Sequence, residues 1–397
     1  MSGALIIGGG QAGARAAVEL RKAGFKSAIN ILAEENMAPY ERPPLSKDVL
    51  IRGAVAGEPQ VVPLAEFEAR DIGLHLSDRV TELNAAGKRV STASGKEYVY
   101  DYLVVATGAS ARRLNVPGAD LDGVLTLRDA LDAVRLRARL SKAKRVAIIG
   151  GGVLGLEVAA SARALNVQAV VLEQSKNCLE RVLPAQAVLP IIDLHVARGA
   201  TILCDAKVAS ITGVKEPTEV ILENGERIDC NLVVVAIGSV PNDAIVAAGG
   251  GECAGGVLID EQCCTSLPDV FAVGDVALDR STRVRRESWE NANRHAAIAA
   301  STITGAEAPV NAPPWFWSDQ YDLNLQVLGS PRSGDTLVER LGSSARQRVQ
   351  FYLRSGAVEG AVLFDSGRDR RIVAQLIGTK IDPALLASSR VPLKMLV

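Results

Sequence analysis

Two glycine-rich turns carry the residue types and spacing most able to do chemistry. Gly8-Gly9-Gly10-Gln11-Ala12-Gly13 and Gly150-Gly151-Gly152-Val153-Leu154-Gly155 each follow a short apolar run, Ala4-Leu5-Ile6-Ile7 and Val146-Ala147-Ile148-Ile149. Each then opens an alanine-rich helix. The first glycine of such a turn permits the sharp bend, the second lets backbone approach a pyrophosphate, and the third lets helix and strand pack closely. The helix N-terminus adds partial positive charge facing the phosphates. An acid follows each turn at about 20 residues, the usual place for a ribose-binding carboxylate: Glu34 in the first unit and Glu173 in the second. A carboxylate accepts from a free 2′-hydroxyl and repels a 2′-phosphate. No arginine follows Glu173 directly, the nearest basic residues being Lys176 and Arg181, so NADH is favoured over NADPH. Two such turns call for two dinucleotides, and FAD with a nicotinamide is the commonest pairing.

The elements that must position these turns are legible around them. The first unit runs from Ala4 through a helix around 14–23 to a strand at Ala28–Leu32, and the second from Val146 through a helix to Ala169–Leu172. Tyr102-Leu103-Val104-Val105-Ala106-Thr107-Gly108 and Leu232-Val233-Val234-Val235-Ala236-Ile237-Gly238 are apolar strands ending in small-residue turns, and the chain is expected to cross between domains there. Asn311-Ala312-Pro313-Pro314 reads as a linker. Beyond it, Gln347–Leu353 and Ala357–Phe364 read as a hairpin divided by Ser355-Gly356.

Bulk properties set limits on the rest. The 397 residues suffice for two to three domains, and net charge of −1 argues against bulk attraction to nucleic acid or anionic membrane. The apolar stretch Val146–Leu156 stops at Glu157, far short of the ~20 residues of a membrane span. No basic segment precedes the first apolar run, so a cytoplasmic protein without a signal peptide is expected. The six cysteines (178, 204, 230, 253, 263, 264) show neither CxxC nor metal-ligand spacing and read as reduced packing residues. His75, His195 and His295 are isolated, and no metal site is expected.

Further runs carry a resemblance. They are Pro39-Tyr40-Glu41-Arg42-Pro43-Pro44-Leu45-Ser46-Lys47, Ala106-Thr107-Gly108, Val270-Phe271-Ala272-Val273-Gly274-Asp275, Glu287-Ser288-Trp289-Glu290-Asn291-Ala292 and Pro314-Trp315-Phe316-Trp317-Ser318-Asp319-Gln320-Tyr321. Over essentially its whole length the chain resembles the FAD-dependent pyridine nucleotide-disulfide oxidoreductase superfamily. More narrowly, it is similar to the ferredoxin reductase components of bacterial ring-hydroxylating dioxygenase and P450 systems. The resemblance implies an α/β fold of two Rossmann-like (glutathione-reductase-type) nucleotide-binding domains plus a C-terminal α+β domain. The implied boundaries are 1–109 and 240–312 for the FAD-binding domain, 110–239 for the NAD-binding domain and 313–397 for the last.

It also implies roles. Gly8, Gly10, Ala12, Gly13 and Glu34 would hold the FAD pyrophosphate and adenosine ribose. Lys47, Val80, Ala106, Thr107, Gly108, Arg128, Gly274, Asp275 and Trp289 would line the rest of FAD, with Asp275 accepting from the ribityl chain. Gly150, Gly152, Gly155, Glu173 and Gly238 would bind NADH. Lys47 and Glu157 match an ion pair beside the flavin, where the lysine would stabilise the reduced flavin's negative charge. Read alone, Lys47 is an ordinary solvated lysine and Glu157 a helix-dipole carboxylate. Trp317 would lie against the flavin; read alone, it and Trp315 are core aromatics.

An absence narrows the chemistry. Disulfide reductases of this superfamily need a cysteine pair just after the first unit, and oxidases and peroxidases need one cysteine there; positions 34–60 have none. What remains is one-electron release from the flavin to an external carrier, which the resemblance implies is a [2Fe–2S] ferredoxin feeding a terminal oxygenase. Such a ferredoxin would be acidic, and the clusters Arg280, Arg283, Arg285, Arg286 and Arg368, Arg370, Arg371 are candidate docks. Two rivals stay open: a rubredoxin reductase, and an apoptosis-inducing-factor-like flavoprotein acting through a different partner.

Overall fold

The computed structural model describes residues 3–54, 58–310, 312–344 and 346–397. The fold is α/β. Its contacts separate two compact units: Met1–Arg42, Gly57–Ser110 and Ser239–Asn311 in one, and Pro43–Ala56, Ala111–Gly238 and Ala312–Val397 in the other.

The first unit is built on a five-stranded parallel sheet in the order Ile72–His75, Ile29–Leu32, Ala4–Ile7, Tyr102–Val105, Val270–Ala272. Its central strand is apolar at every position because both faces are covered; Ala4, Leu5, Ile6 and Ile7 are at most 4% exposed. Each of the larger three contributes roughly 2 kcal/mol of burial. The first glycine turn leads into the helix Gln11–Lys22, which buries Ala14, Ala16, Ala17 and Leu20. Alanine along this face permits close packing on a second helix, Trp289–Thr304, which presents Ala292, Ala296, Ala299 and Ala300. Arg21 closes the first helix by donating to the carbonyls of Arg70, Phe25, Ser27 and Asp71 at 2.7–2.8 Å. An antiparallel sheet of Val80–Asn84, Arg89–Thr92 and Glu97–Val99 completes the unit.

The second unit repeats the plan. Its parallel sheet runs Thr201–Leu203, Gln168–Leu172, Arg145–Ile149, Leu232–Val235, Val124–Leu125, with an antiparallel sheet of Val208–Gly213, Pro217–Leu222 and Arg227–Asp229. The same unit includes a five-stranded antiparallel sheet in the order Trp315–Gln320, Leu323–Gly329, Ala357–Phe364, Arg348–Arg354, Thr336–Leu341. The expected hairpin is there, with Arg354 paired to Ala357 across its turn. Short helices at Arg370–Leu376 and Pro383–Ala387 bury Val373, Leu376 and Leu386 on this sheet. Of the expected linker, Asn311 lies outside the described residues. Among the described residues no helix is long and apolar enough to cross a membrane.

Candidate active site

Both glycine turns have the geometry of an anion cradle. Gly8 and Gly150 sit at φ +114° and +109°, and a Cβ there would land 2.2 Å from the Ala106 carbonyl oxygen and 2.4 Å from that of Ala236. A Cβ at Gly13 or Gly155 would lie 2.0 Å from the oxygen of Gly8 or Gly150. Side chains are thus excluded by backbone on both sides. Gly10 and Gly152, by contrast, face open space, with nothing within 4 Å of a Cβ. The helices they begin have no side-chain cap, whereas Ser288 and Asp129 cap their own helices in the same chain. Uncapped N–H groups beside open space suit a pyrophosphate. The residues present therefore fit a dinucleotide at each turn.

In the first unit the remaining candidates gather at the same end of the sheet. Gly274, at φ +73°, would place a Cβ 2.8 Å from that of Ala12, so the short turn carrying Asp275 rests on the start of the first helix. Arg285 braces that turn: its guanidinium donates to the Asp275 carbonyl at 3.0 Å and pairs with Glu287 at 2.6 Å. Its side chain is only 16% exposed. Arg285 thus braces the turn and is mostly covered, whereas Arg280, paired with Glu252 at 2.7 Å, and Arg283 are exposed. Thr107 and Asn242 clamp each other, Thr107 Oγ1 donating to the Asn242 carbonyl at 2.8 Å and Asn242 Nδ2 to that of Thr107 at 2.9 Å. The Trp289 indole N–H donates to Glu41 at 2.6 Å. Burial raises the Glu41 carboxyl above its usual value, against that hydrogen bond and the charge of Arg15. Glu34 is exposed and 3.4 Å from Arg79, while Val80 begins the antiparallel sheet, half-buried.

In the second unit Glu173 accepts from the N–H of Gly151 at 2.7 Å and of Ser175 at 2.8 Å, which fixes the carboxylate beside the turn. Gly151 has no room for a side chain: a Cβ would lie 2.5 Å from Cys178 Sγ. Gly238 is at φ +97° with the Arg181 guanidinium nearby, and Arg128 lies just before the helix Ala130–Leu140.

The same unit brings Lys47 to Glu157. The Pro43–Ser46 turn delivers Lys47, whose Nζ is 2.9 Å from Glu157 Oε1 and 3.1 Å from the Pro43 carbonyl. Glu157 projects from the second turn of the helix Val153–Ala164 and is 6% exposed. Its other donors are Ser46 Oγ at 2.5 Å and Ser318 Oγ at 2.7 Å. Ser161 Oγ donates to the Ser46 carbonyl, fastening the turn to the helix. A buried carboxylate needs this many donors. Trp317 stacks on Trp315, with ring centroids 5.1 Å apart and planes at 17°, and Arg370 covers Trp315 at 4.3 Å. Sequence reasoning missed Asn242, Ser46 and Ser318; the two serines stood inside the Pro-Pro-Leu-Ser-Lys and Trp-Phe-Trp-Ser-Asp-Gln runs.

Residues 3–296 match the family model described as pyridine nucleotide-disulphide oxidoreductase. The chain belongs to that family. As a pyridine nucleotide-disulphide oxidoreductase it has FAD and NAD(H) as its cofactors. Residues 315–397 match a second model, Reductase C-terminal. The chain is similar to the 5,5′-dehydrodivanillate O-demethylase ferredoxin reductase subunit of Sphingobium sp. (strain NBRC 103272 / SYK-6), 38% identical over 99% of this chain and 97% of that protein. It is similar also to Rubredoxin-NAD(+) reductase of Ectopseudomonas oleovorans, 37% identical over 90% of this chain and 98% of the other. Among solved structures, the ferredoxin reductase for the CYP199A2 system from Rhodopseudomonas palustris superposes with a TM-score of 0.93 at 34% identity, covering 100% of both chains. Despite the family's name, all six cysteines here carry free thiols.

Proposed function

We propose that the protein is an NADH-dependent, FAD-containing ferredoxin reductase that passes electrons one at a time to a [2Fe–2S] ferredoxin feeding an oxygenase, either an aromatic-ring dioxygenase or a P450. The observation that carries this reading is the pair of uncapped, open glycine cradles in a chain with no cysteine between residues 34 and 60. Relatives named as ferredoxin reductases over nearly their full length support it. When bound, the flavin supplies the conversion of a two-electron hydride into single electrons.

The chain's own residues have separable tasks. The turns at Gly8–Gly13 and Gly150–Gly155 hold the two pyrophosphates, in an FAD domain of 1–109 with 240–312 and an NAD domain of 110–239, followed by the domain 313–397. Glu34 and Glu173 accept from the adenosine riboses. Ala106, Thr107, Gly108, Val80, Arg128, Gly274, Asp275 and Trp289 line FAD, and Gly238 lines the NADH site. Lys47 balances the negative charge that arrives with the hydride, and Glu157 aims Lys47. Trp317, stacked on Trp315, would lie against the flavin and shape the exit for electrons. Exposed Arg280 and Arg283 attract the acidic ferredoxin, an attraction that weakens as salt rises.

A rubredoxin as acceptor is the second reading, favoured by the relative of that name. Acceptor choice separates the two. With NADH and the purified protein, cytochrome c reduction that requires an added [2Fe–2S] ferredoxin supports the first, and reduction that requires rubredoxin replaces it with the second.

A further inference from the structure

The Lys47–Glu157 pair is the head of a longer buried chain of hydrogen bonds. Ser318 Oγ donates to Glu157 Oε1, and Gln320 Nε2 donates to Ser318 Oγ at 3.0 Å. Gln320 Oε1 faces His195 Nε2 at 2.8 Å, and His195 Nδ1 faces the Tyr321 hydroxyl at 3.4 Å. Ser318, Gln320 and His195 are 0%, 1% and 0% exposed. Ser318 and Gln320 share one face of the strand Trp315–Gln320 by its two-residue alternation. His195 reaches them from the last turn of the helix Ala185–Ala197.

Chemistry sets the direction of every link. A carboxylate only accepts, so the Ser318 hydroxyl spends its one proton on Glu157 and must itself accept. That demand turns the Gln320 amide nitrogen toward Ser318 and its carbonyl toward His195. The imidazole therefore carries its proton on Nε2 and accepts at Nδ1 from Tyr321. Burial holds the His195 imidazole below its ordinary value, against the hydrogen bond it donates to Gln320, in keeping with a neutral ring. Three apolar side chains would fill the same space without the desolvation that polar groups incur.

We propose that Ser318, Gln320 and His195 form a one-way relay that positions the Glu157 carboxylate, and through it Lys47, making His195 a positioning residue of the site. Its effect on catalysis rests on the reading of Lys47 and Glu157 given above; its existence does not.

The test uses full-length protein labelled with nitrogen-15 histidine. Nitrogen NMR near neutral pH is expected to show His195 as the Nε2–H tautomer. Glu157→Gln should move the His195 resonances and leave those of His75 and His295 in place. In the FAD-loaded protein, His195→Leu should slow NADH-driven bleaching of the flavin by about fivefold with little change in the NADH half-saturation, and His195→Gln, which keeps an N–H donor, should recover all but about twofold of it. An Nδ1–H tautomer, His195 resonances indifferent to Glu157→Gln, or equal slowing in both His195 variants overturns the relay. Moved resonances with wild-type bleaching in Glu157→Gln uphold the relay and overturn instead the role given to Glu157.

Discussion

Lys47 Nζ and Glu157 Oε1 stand 2.9 Å apart, with 18% and 7% of their side chains exposed. A cation so placed is there for charge rather than for solubility. Lys47→Met keeps the length of the side chain and removes the charge, and should slow flavin reduction by NADH on the order of 100-fold. Stopped-flow absorbance under excess NADH measures this, and an unchanged rate would remove Lys47 from the chemistry.

Coenzyme choice should follow Glu173. Its carboxylate is held beside the glycine turn by the N–H groups of Gly151 and Ser175, and on the proposed reading its negative charge would repel a 2′-phosphate there. Glu173→Gln keeps the size of the side chain but removes the charge and one of the two backbone hydrogen bonds, since an amide has a single acceptor atom, and should raise the NADH half-saturation about tenfold while that for NADPH stays level or falls. Equal rises for both coenzymes would contradict the assignment.

Docking should depend on Arg280 and Arg283 and not on Arg285. The double change Arg280→Glu, Arg283→Glu should weaken ferredoxin-dependent cytochrome c reduction about tenfold at low salt, an effect shrinking as salt rises. NADH–ferricyanide turnover should be unaffected. Arg285→Glu, which breaks the brace on Asp275, should instead lower FAD retention, seen as flavin released on gel filtration. Loss of ferricyanide turnover in the double variant would sink the docking surface.

Acid stability should report on His295. Its imidazole is pushed down to about 4 by burial and by the charges of Arg294 and Arg286. A histidine whose folded value lies below its unfolded one contributes stability that is complete above about 6.5 and is lost as pH falls toward 4, about 3 kcal/mol in all. His295→Gln should flatten the dependence of Tm on pH in that window. A wild-type Tm that holds level there would contradict it.

Legibility of the fold varied with the range of the interactions involved. The glycine turns could be read at once, because a positive φ at Gly8 and Gly150 and a 2.0 Å exclusion at Gly13 and Gly155 leave residue type no freedom. The flanking strands were equally plain, their burial on both faces spelling continuous apolar runs. The join of Lys47 to Glu157 came only through resemblance, since nothing local says which distant carboxylate a lysine meets. Ser318, Gln320 and His195 escaped for the same reason: a satisfied buried histidine and an idle one look alike in sequence. The bracing contact of Arg285 could not be read in sequence, because nothing in a run of arginines says that the carbonyl of Asp275 lies within reach.

The central claim is that two dinucleotides bind this chain and that a hydride passes between them. The direct measurement is the visible spectrum of the purified protein, titrated without oxygen first with NADPH and then with NADH. Flavin bands that resist NADPH and bleach at about one equivalent of NADH are the predicted result. A flavin bound at the first turn that keeps its colour in excess NADH would contradict the account.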